Sequence, residues 1–225
     1  MPREMKTYET RKTEMVTAAW GLFSEKGYDR TTVNAIIEKL GVSKGTFYHY
    51  FSSKEDILDA VVESITRAGF QVVAPILEDD ALSAIDKLNQ YIKAARAWRL
   101  ANIDAIKDVM RVIYRDENII IRYKLQIHSV SRVAPLLARV IHQGIDEGVF
   151  KNKYPQETAE ALLHLSNILG DANARLFLEL ADHPENMEKI KRRIDFYGDM
   201  LERLLGAPQG SIEPVSADFI KQFLK

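Results

Sequence analysis

Apolar positions along this chain recur at intervals of three and four residues far more often than at alternate positions. That is the spacing of amphipathic helices; apart from a short "NIII", strand-like patterning is nearly absent. The first helix is expected over 9–26, with Met15, Ala18, Ala19, Leu22 and Phe23 forming one stripe and Gly27 closing it. A second starts after Thr31 or Thr32, either a good N-cap, and turns Val33, Ile36, Ile37 and Leu40 inward before Gly41 stops it. Ser43 caps a short third helix over 44–50. A fourth begins near Ser53, where "SKED" supplies a cap and first-turn acids, and carries Ile57, Leu58, Val61 and Ile65.

Beyond residue 70, helices are expected over 81–98, 101–115, 118–133, 135–147, 156–181 and 185–205. The breaks fall at Pro75, Asp116, Pro135, Gly148 with Tyr154-Pro155, and His183-Pro184. A tail at 216–225 is expected to add one or two apolar turns. The fold class is all-α. Two helices joined by the turn Gly41-Val42-Ser43 make a helix-turn-helix. With Ile36, Ile37, Leu40, Val42 and Phe47 locking those helices together, Lys44, Thr46, Tyr48 and His49 are left at the surface.

Those surface groups suit a nucleic-acid groove. Lys44 reaches a phosphate or a guanine edge, and Thr46 offers a hydroxyl and a methyl to base edges. Gly45 lets the backbone approach the sugar-phosphate chain, and Tyr48 and His49 donate to phosphate. Thr32 and Lys54 add donors at helix starts that already favour anions. Phe47 and Phe51 are read as core; Tyr50 is divided between packing and phosphate.

Charge sharpens this picture. The formal net charge of the 225 residues is -1. Residues 1–54 hold nine Lys and Arg against six acids, and the remainder 22 against 26. A basic front on an acidic body points the front at a polyanion. There is no cysteine, which excludes disulfides and thiolate chemistry. The charged start "MPREMKTYETRK" is not a secretory signal, and no apolar run reaches the roughly 18 residues of a membrane span. The expectation is a cytoplasmic protein without a membrane partner. The histidines His49, His128, His142, His164 and His183 form no metal-ligand spacing, and no P-loop, dinucleotide fingerprint or nucleophile elbow occurs. No metal, cofactor or catalytic residue is assigned, and the chain is not expected to be an enzyme.

The segment "TTVNAIIEKLGVSKGTFYHYFSSKEDIL", with "LFSEKGYDRTT" before it, resembles the DNA-binding signature of the TetR family of repressors, without gaps from about Thr10 to Leu58. Ile37 and Leu40 depart from it, since the family more often has alanine there. "IHQGIDEGVF" at 141–150 is similar to the family's larger domain. The resemblance implies an all-helical homodimer: a helix-turn-helix DNA-binding domain at 1–54, a connecting helix at 55–69, a ligand-binding and dimerisation domain at 70–206, and a tail at 207–225. It implies a ligand-responsive transcriptional regulator, a repressor released from a palindromic DNA operator by a small-molecule effector.

The site residues of the larger domain are less local. Tyr91, Trp98, Asn102, Met110, Tyr114, Tyr123 and His128 on the middle helices, with Asn167 and Asp171, are expected around the ligand, although aromatics and methionine at helical spacing also build cores. Asn167 and Asp171, near His164, need partners, which are the dimer mate, each other or a ligand. Leu162, Leu169, Leu176, Ile194, Tyr197 and Leu201 are expected at the dimer interface, with burial inside one subunit as the alternative. The rival functional reading is a helical small-molecule-binding protein or enzyme whose N-terminal hairpin is structural.

Overall fold

A computed structural model of the chain describes residues 7–180 and 182–213. Regular structure among them is helical: α1 Tyr8–Lys26, α2 Val33–Leu40, α3 Lys44–Tyr50, α4 Lys54–Leu77, α5 Ala84–Ala101, α6 Ile103–Ile113, α7 Ile119–Asp146, α8 Pro155–Leu178 and α9 Asn186–Leu205, with a 3-10 turn at Asp116–Asn118 before α7. The expected turns at 216–225 lie outside the described residues.

The helix starts are set by short side chains. The Thr32 hydroxyl accepts from the Ala35 N–H at 3.1 Å, Ser43 from Thr46 at 3.0 Å, Ser53 from Asp56 at 3.0 Å and Ser83 from Asp86 at 3.2 Å. Each satisfies a donor that the first turn leaves free. Thr31 is buried, and its hydroxyl donates to the Gly27 carbonyl at 2.8 Å, so Thr32 is the cap of α2 and Thr31 ties the preceding turn. Gly41 ends α2 in the left-handed region at φ 62°, where a side chain would be strained.

Two expected breaks do not occur. Pro75 lies in the last turn of α4, and Pro135 lies inside α7, which runs unbroken where two helices were expected. An internal proline costs about 3 kcal/mol through its missing N–H and its clash with an earlier carbonyl. In α7 the apolar residues on both sides, Val130 and Ala134 before and Leu137, Ala138, Val140 and Ile141 after, are buried in one core. Pro135 and Ser131, one turn earlier, are both exposed, so the defect lies on the outer face of the helix. Burial on the inner face outweighs the defect on the outer one.

The chain forms two compact units. The first contains residues up to Arg67 together with Arg111–His128. Its core is Met15, Ala19, Leu22, Phe23, Ile36, Phe47, Phe51, Ile57, Leu58, Val61, Val62 and Ile121. Ile121 comes from the middle of the region expected to form the larger domain. The second unit contains Ala68–Met110 and the chain from Ser129. Leu77, Leu88, Val140, Ile141, Phe150, Leu162 and Leu205 are among its buried residues. There "IHQGIDEGVF" is the end of α7, where the Val149 and Phe150 N–H groups both donate to the Gly144 carbonyl at 2.9 Å and the Phe150 ring is buried. By length and composition α4 is apolar enough to cross a membrane, but Ile57, Leu58, Val61 and Val62 on it fill the first unit's core and Val73, Ala74 and Leu77 are buried further along.

Candidate nucleic-acid interface

Phe47 divides α3 into two faces. It is 0 % exposed, and with Phe51 it anchors the helix in the first unit's core. The rest of the helix is thereby turned outward: Lys44, Gly45 and His49 are exposed, Thr46 is half-buried and Tyr48 is 47 % exposed. The Lys44 ammonium lies 5.9 Å from the Tyr48 ring centroid, and the Phe47 ring meets the edge of Tyr48 at 5.4 Å. Both contacts limit where these outward groups point.

The caps do double duty. Ser43 Oγ and Thr46 Oγ1 are 2.8 Å apart, so the pair shares one hydrogen bond and keeps one hydroxyl proton to donate elsewhere. Thr32 is exposed and accepts from Ala35 through an oxygen lone pair, which leaves its own proton available. Lys54 is more restrained than its sequence position suggested. Its Nζ donates to the Tyr28 carbonyl at 2.9 Å and stands 4.0 Å from the Tyr28 ring centroid. Burial pulls its pKa below the ordinary lysine value, and Asp29 opposes this. An ammonium has three protons, so a phosphate can share it.

Some participants carried no sequence signal. Tyr8, at the start of α1, stacks on Tyr50 at 4.6 Å and meets the His49 ring edge-on at 6.0 Å. Tyr50 thus packs, and it does so at the exposed end of α3. Behind α1 and α4 stands the corner between α6 and α7. Arg115 Nη1 donates to the Ser24 carbonyl at 2.7 Å, and the Tyr28 N–H donates to Asn118 Oδ1 at 2.8 Å. On α7, the Lys124 ammonium bridges Asp59 at 2.7 Å and Glu55 at 3.0 Å, and His128 joins Glu63 at 2.8 Å and Thr66 at 3.0 Å. The partners of these α6–α7 residues are separated from them by 62 to 91 positions in the sequence, so no local pattern announces them.

The residues expected around a ligand fall in both units. Tyr114, Tyr123 and His128 belong to the first, where Arg122 lies over the Tyr114 ring at 5.0 Å and Tyr123 is exposed. Tyr91, Trp98, Asn102, Met110, Asn167 and Asp171 belong to the second. Tyr91 packs against that unit's core, and burial raises its pKa. Asn102 is exposed at the end of α5 and donates to the Trp98 carbonyl at 2.8 Å. Asn167 has a buried Nδ2 without a hydrogen-bond partner. A separate open cleft of about 500 Å³, lined by Lys87, Arg139, His142 and Gln143 among others, contains none of these residues.

The residues expected at a dimer interface also divide. Leu162 is 1 % exposed within its own chain and is a core residue of the subunit. Leu201 packs against the same core, while Leu176 and Ile194 pack on Leu180 and Ile190. Leu169 is half-buried on α8. The Tyr197 hydroxyl donates to the Leu162 carbonyl at 3.0 Å, and burial pushes its pKa up to about 12. The apolar residues that α8 and α9 leave open are Ile168, Leu178, Phe196 and Leu204. Helical spacing identified both helices as apolar, but which side chains α8 and α9 cover in each other is settled by their mutual packing.

Comparison with known proteins gives the family and the fold. Residues 16–61 match the model for bacterial regulatory proteins of the tetR family, and residues 103–179 match a tetracyclin repressor-like C-terminal domain. Among curated relatives, the HTH-type transcriptional regulator YfiR of Bacillus subtilis is 26% identical over 67% of this chain and 73% of its own. The HTH-type transcriptional repressor KstR2 of Mycobacterium tuberculosis is 26% identical over 67% of this chain and 74% of its own. Among solved structures, a TetR-family regulator from Syntrophomonas wolfei aligns with a TM-score of 0.59 at 20% identity, covering 87% of this chain and 96% of that one. A transcriptional regulator from Pseudomonas aeruginosa aligns with a TM-score of 0.57 at 19% identity, covering 88% and 93%. Likeness at that identity speaks for the fold.

Proposed function

We propose a function from one established premise: the chain belongs to the TetR family of DNA-binding transcriptional regulators. On this reading it is a repressor that binds a palindromic operator as a homodimer in the cytoplasm and leaves it when a small molecule binds. The observation that carries the DNA contact is the two-sided α3, with Phe47 buried and Lys44, Tyr48 and His49 exposed on the same seven residues. Such a helix presents its N-terminal end to major-groove base edges. Lys44 and Thr46 are assigned to bases, with the Gly45 backbone close to the strand. Ser43, Tyr48, His49, Thr32 and Lys54 are assigned to phosphates.

Dimerisation is supported by the exposed Ile168 and Phe196, 63 % and 61 % open, on the helices expected to pair with a second copy. A second copy supplies the second reading head that half-sites roughly 34–36 Å apart require. Repression is the role that the relative KstR2 has in its name. The effector is assigned to the second unit, around Tyr91, Trp98, Met110, Asn167 and Asp171, with the unpartnered Asn167 amide as a polar anchor. Release needs only modest coupling, since about 1–3 kcal/mol changes affinity roughly 5–150-fold.

Footprinting or a mobility-shift assay on the DNA upstream of the protein's own gene tests this reading. A protected two-fold-symmetric site that survives physiological salt is expected. Binding that ignores sequence and vanishes at physiological salt overturns it, because that is how a non-specific phosphate contact behaves.

A further inference from the structure

The corner between α6 and α7 touches the end of α1 through three side chains. Arg115 donates to the Ser24 carbonyl at 2.7 Å. Glu117 lies so close to Gly27 that a β-carbon there would stand 2.7 Å from the Glu117 Cβ, and Gly27 also has φ +83°, which disfavours any other residue. Asn118 goes furthest in. It is 0 % exposed, and the α1 carbonyl it reaches, that of Phe23, lies 95 positions earlier. A carboxamide in that position must be hydrogen-bonded, since a buried polar group left unpaired loses its water without replacement. Its oxygen accepts from the Tyr28 N–H at 2.8 Å, and its nitrogen donates to the Val112 carbonyl at 3.0 Å and, more weakly, to the Phe23 carbonyl at 3.4 Å.

Tyr28 is held from both sides. Its N–H is fixed by Asn118, and its carbonyl receives the Lys54 ammonium at 2.9 Å, with its ring beneath that ammonium at 4.0 Å. Asn118 and Lys54 therefore act on opposite ends of one residue. Lys54 opens α4, where the helix start already favours an anion. Val112, at the other end of the Asn118 carboxamide, is in the last turn of α6.

We propose that Asn118 is a positioning residue for DNA binding: it sets Tyr28, and through Tyr28 it sets the place of the Lys54 cation, so that the end of α6 and a phosphate contact are linked by one buried side chain. The proposal rests on the reading of Lys54 as a phosphate donor. It touches no DNA itself. A shift of the α6 end would move the carboxamide, release or retain Tyr28, and so raise or lower the strength of a contact at the opposite side of that residue.

The test is operator affinity of the full-length protein across a salt series for wild type, Lys54→Ala, Asn118→Ala and the double variant. Each phosphate contact contributes about 0.9 to the slope of log affinity against log salt, so Lys54→Ala flattens the slope by about one unit per bound subunit. Asn118→Ala is expected to flatten it by most of that amount, and the double variant no further than Lys54→Ala alone, the non-additivity of residues acting through one contact. A merely structural role lowers the active fraction and leaves the slope alone. If Asn118→Ala keeps the wild-type slope while Lys54→Ala flattens it, the positioning role is wrong and the phosphate reading of Lys54 stands. If Lys54→Ala leaves the slope unchanged, both are wrong. Should Asn118→Ala fail to fold, Asn118→Ser, whose shorter side chain cannot span to the Tyr28 N–H, is read in the same way. Amide exchange in the wild-type protein supplies an independent check: slow exchange at Tyr28 is expected, and exchange at the rate of an open loop overturns the link.

Discussion

The outward face of α3 and the outward face of α8 and α9 are both open to solvent, yet they expose opposite chemistry. On α3 the open groups are an amine, a phenol, an imidazole and hydroxyls, while the phenylalanine is buried. On α8 and α9 the open groups include Ile168, Leu178, Phe196 and Leu204. A polar, cationic face suits a partner whose surface is phosphate and base edges. Large apolar side chains left open suit a partner that removes them from water. The contrast teaches that the two faces suit different chemistry, although the same helical periodicity generates both.

The sharpest way to break the comparison is to make the second face resemble the first. Ile168→Asp with Phe196→Asp is expected to turn the dimer into a monomer by sedimentation and to weaken operator binding by about 10²–10⁴-fold through loss of avidity. A dimer of unchanged stability would remove the interface assignment. Next, the two sides of α3 are separated by paired variants. Phe47→Ala is expected to lower unfolding stability by about 3–5 kcal/mol, as truncation of a buried aromatic does. Tyr48→Ala should leave the melting transition nearly in place and weaken operator binding. Equal stability losses at the two positions would mean that α3 has no free face. The smallest effect belongs to Thr46→Ala, which is expected to relax discrimination at one base pair by about 1 kcal/mol, the low end for a base contact. An unchanged preference at every position of a randomised operator would move Thr46 off the bases.

The two regions also differed in how far they were readable. The residues assigned to DNA lie within 32–54, where capping hydroxyls, a turn glycine and a single helix repeat set their directions. Neighbours in sequence are neighbours in space there, so spacing alone orients Lys44 and Tyr48 outward once Phe47 is inside. The expected ligand residues have no such local frame. Tyr91 and Tyr123 look alike as aromatics at helical spacing, but one packs on the second unit's core and the other is exposed in the first unit. Leu162 and Ile168 are both apolar positions of α8, and only contact with the rest of the chain makes the first a core residue and leaves the second open.

The sequence by itself determined the helical class, the caps that start α3 and α4, the inward stripes of α1, α2 and α4, and the chemistry presented by α3. These depend on interactions within a few residues. Tertiary structure alone decided that α7 runs through Pro135, because burial of Val130, Ala134, Leu137, Ala138, Val140 and Ile141 outweighs a local defect. It alone brought Asn118 to Tyr28 and tied Lys54 to the same residue, since those hydrogen bonds join groups 26 and 90 positions apart. A buried amide is matched to its partners by the geometry of packed helices, and no periodicity along the chain carries that information.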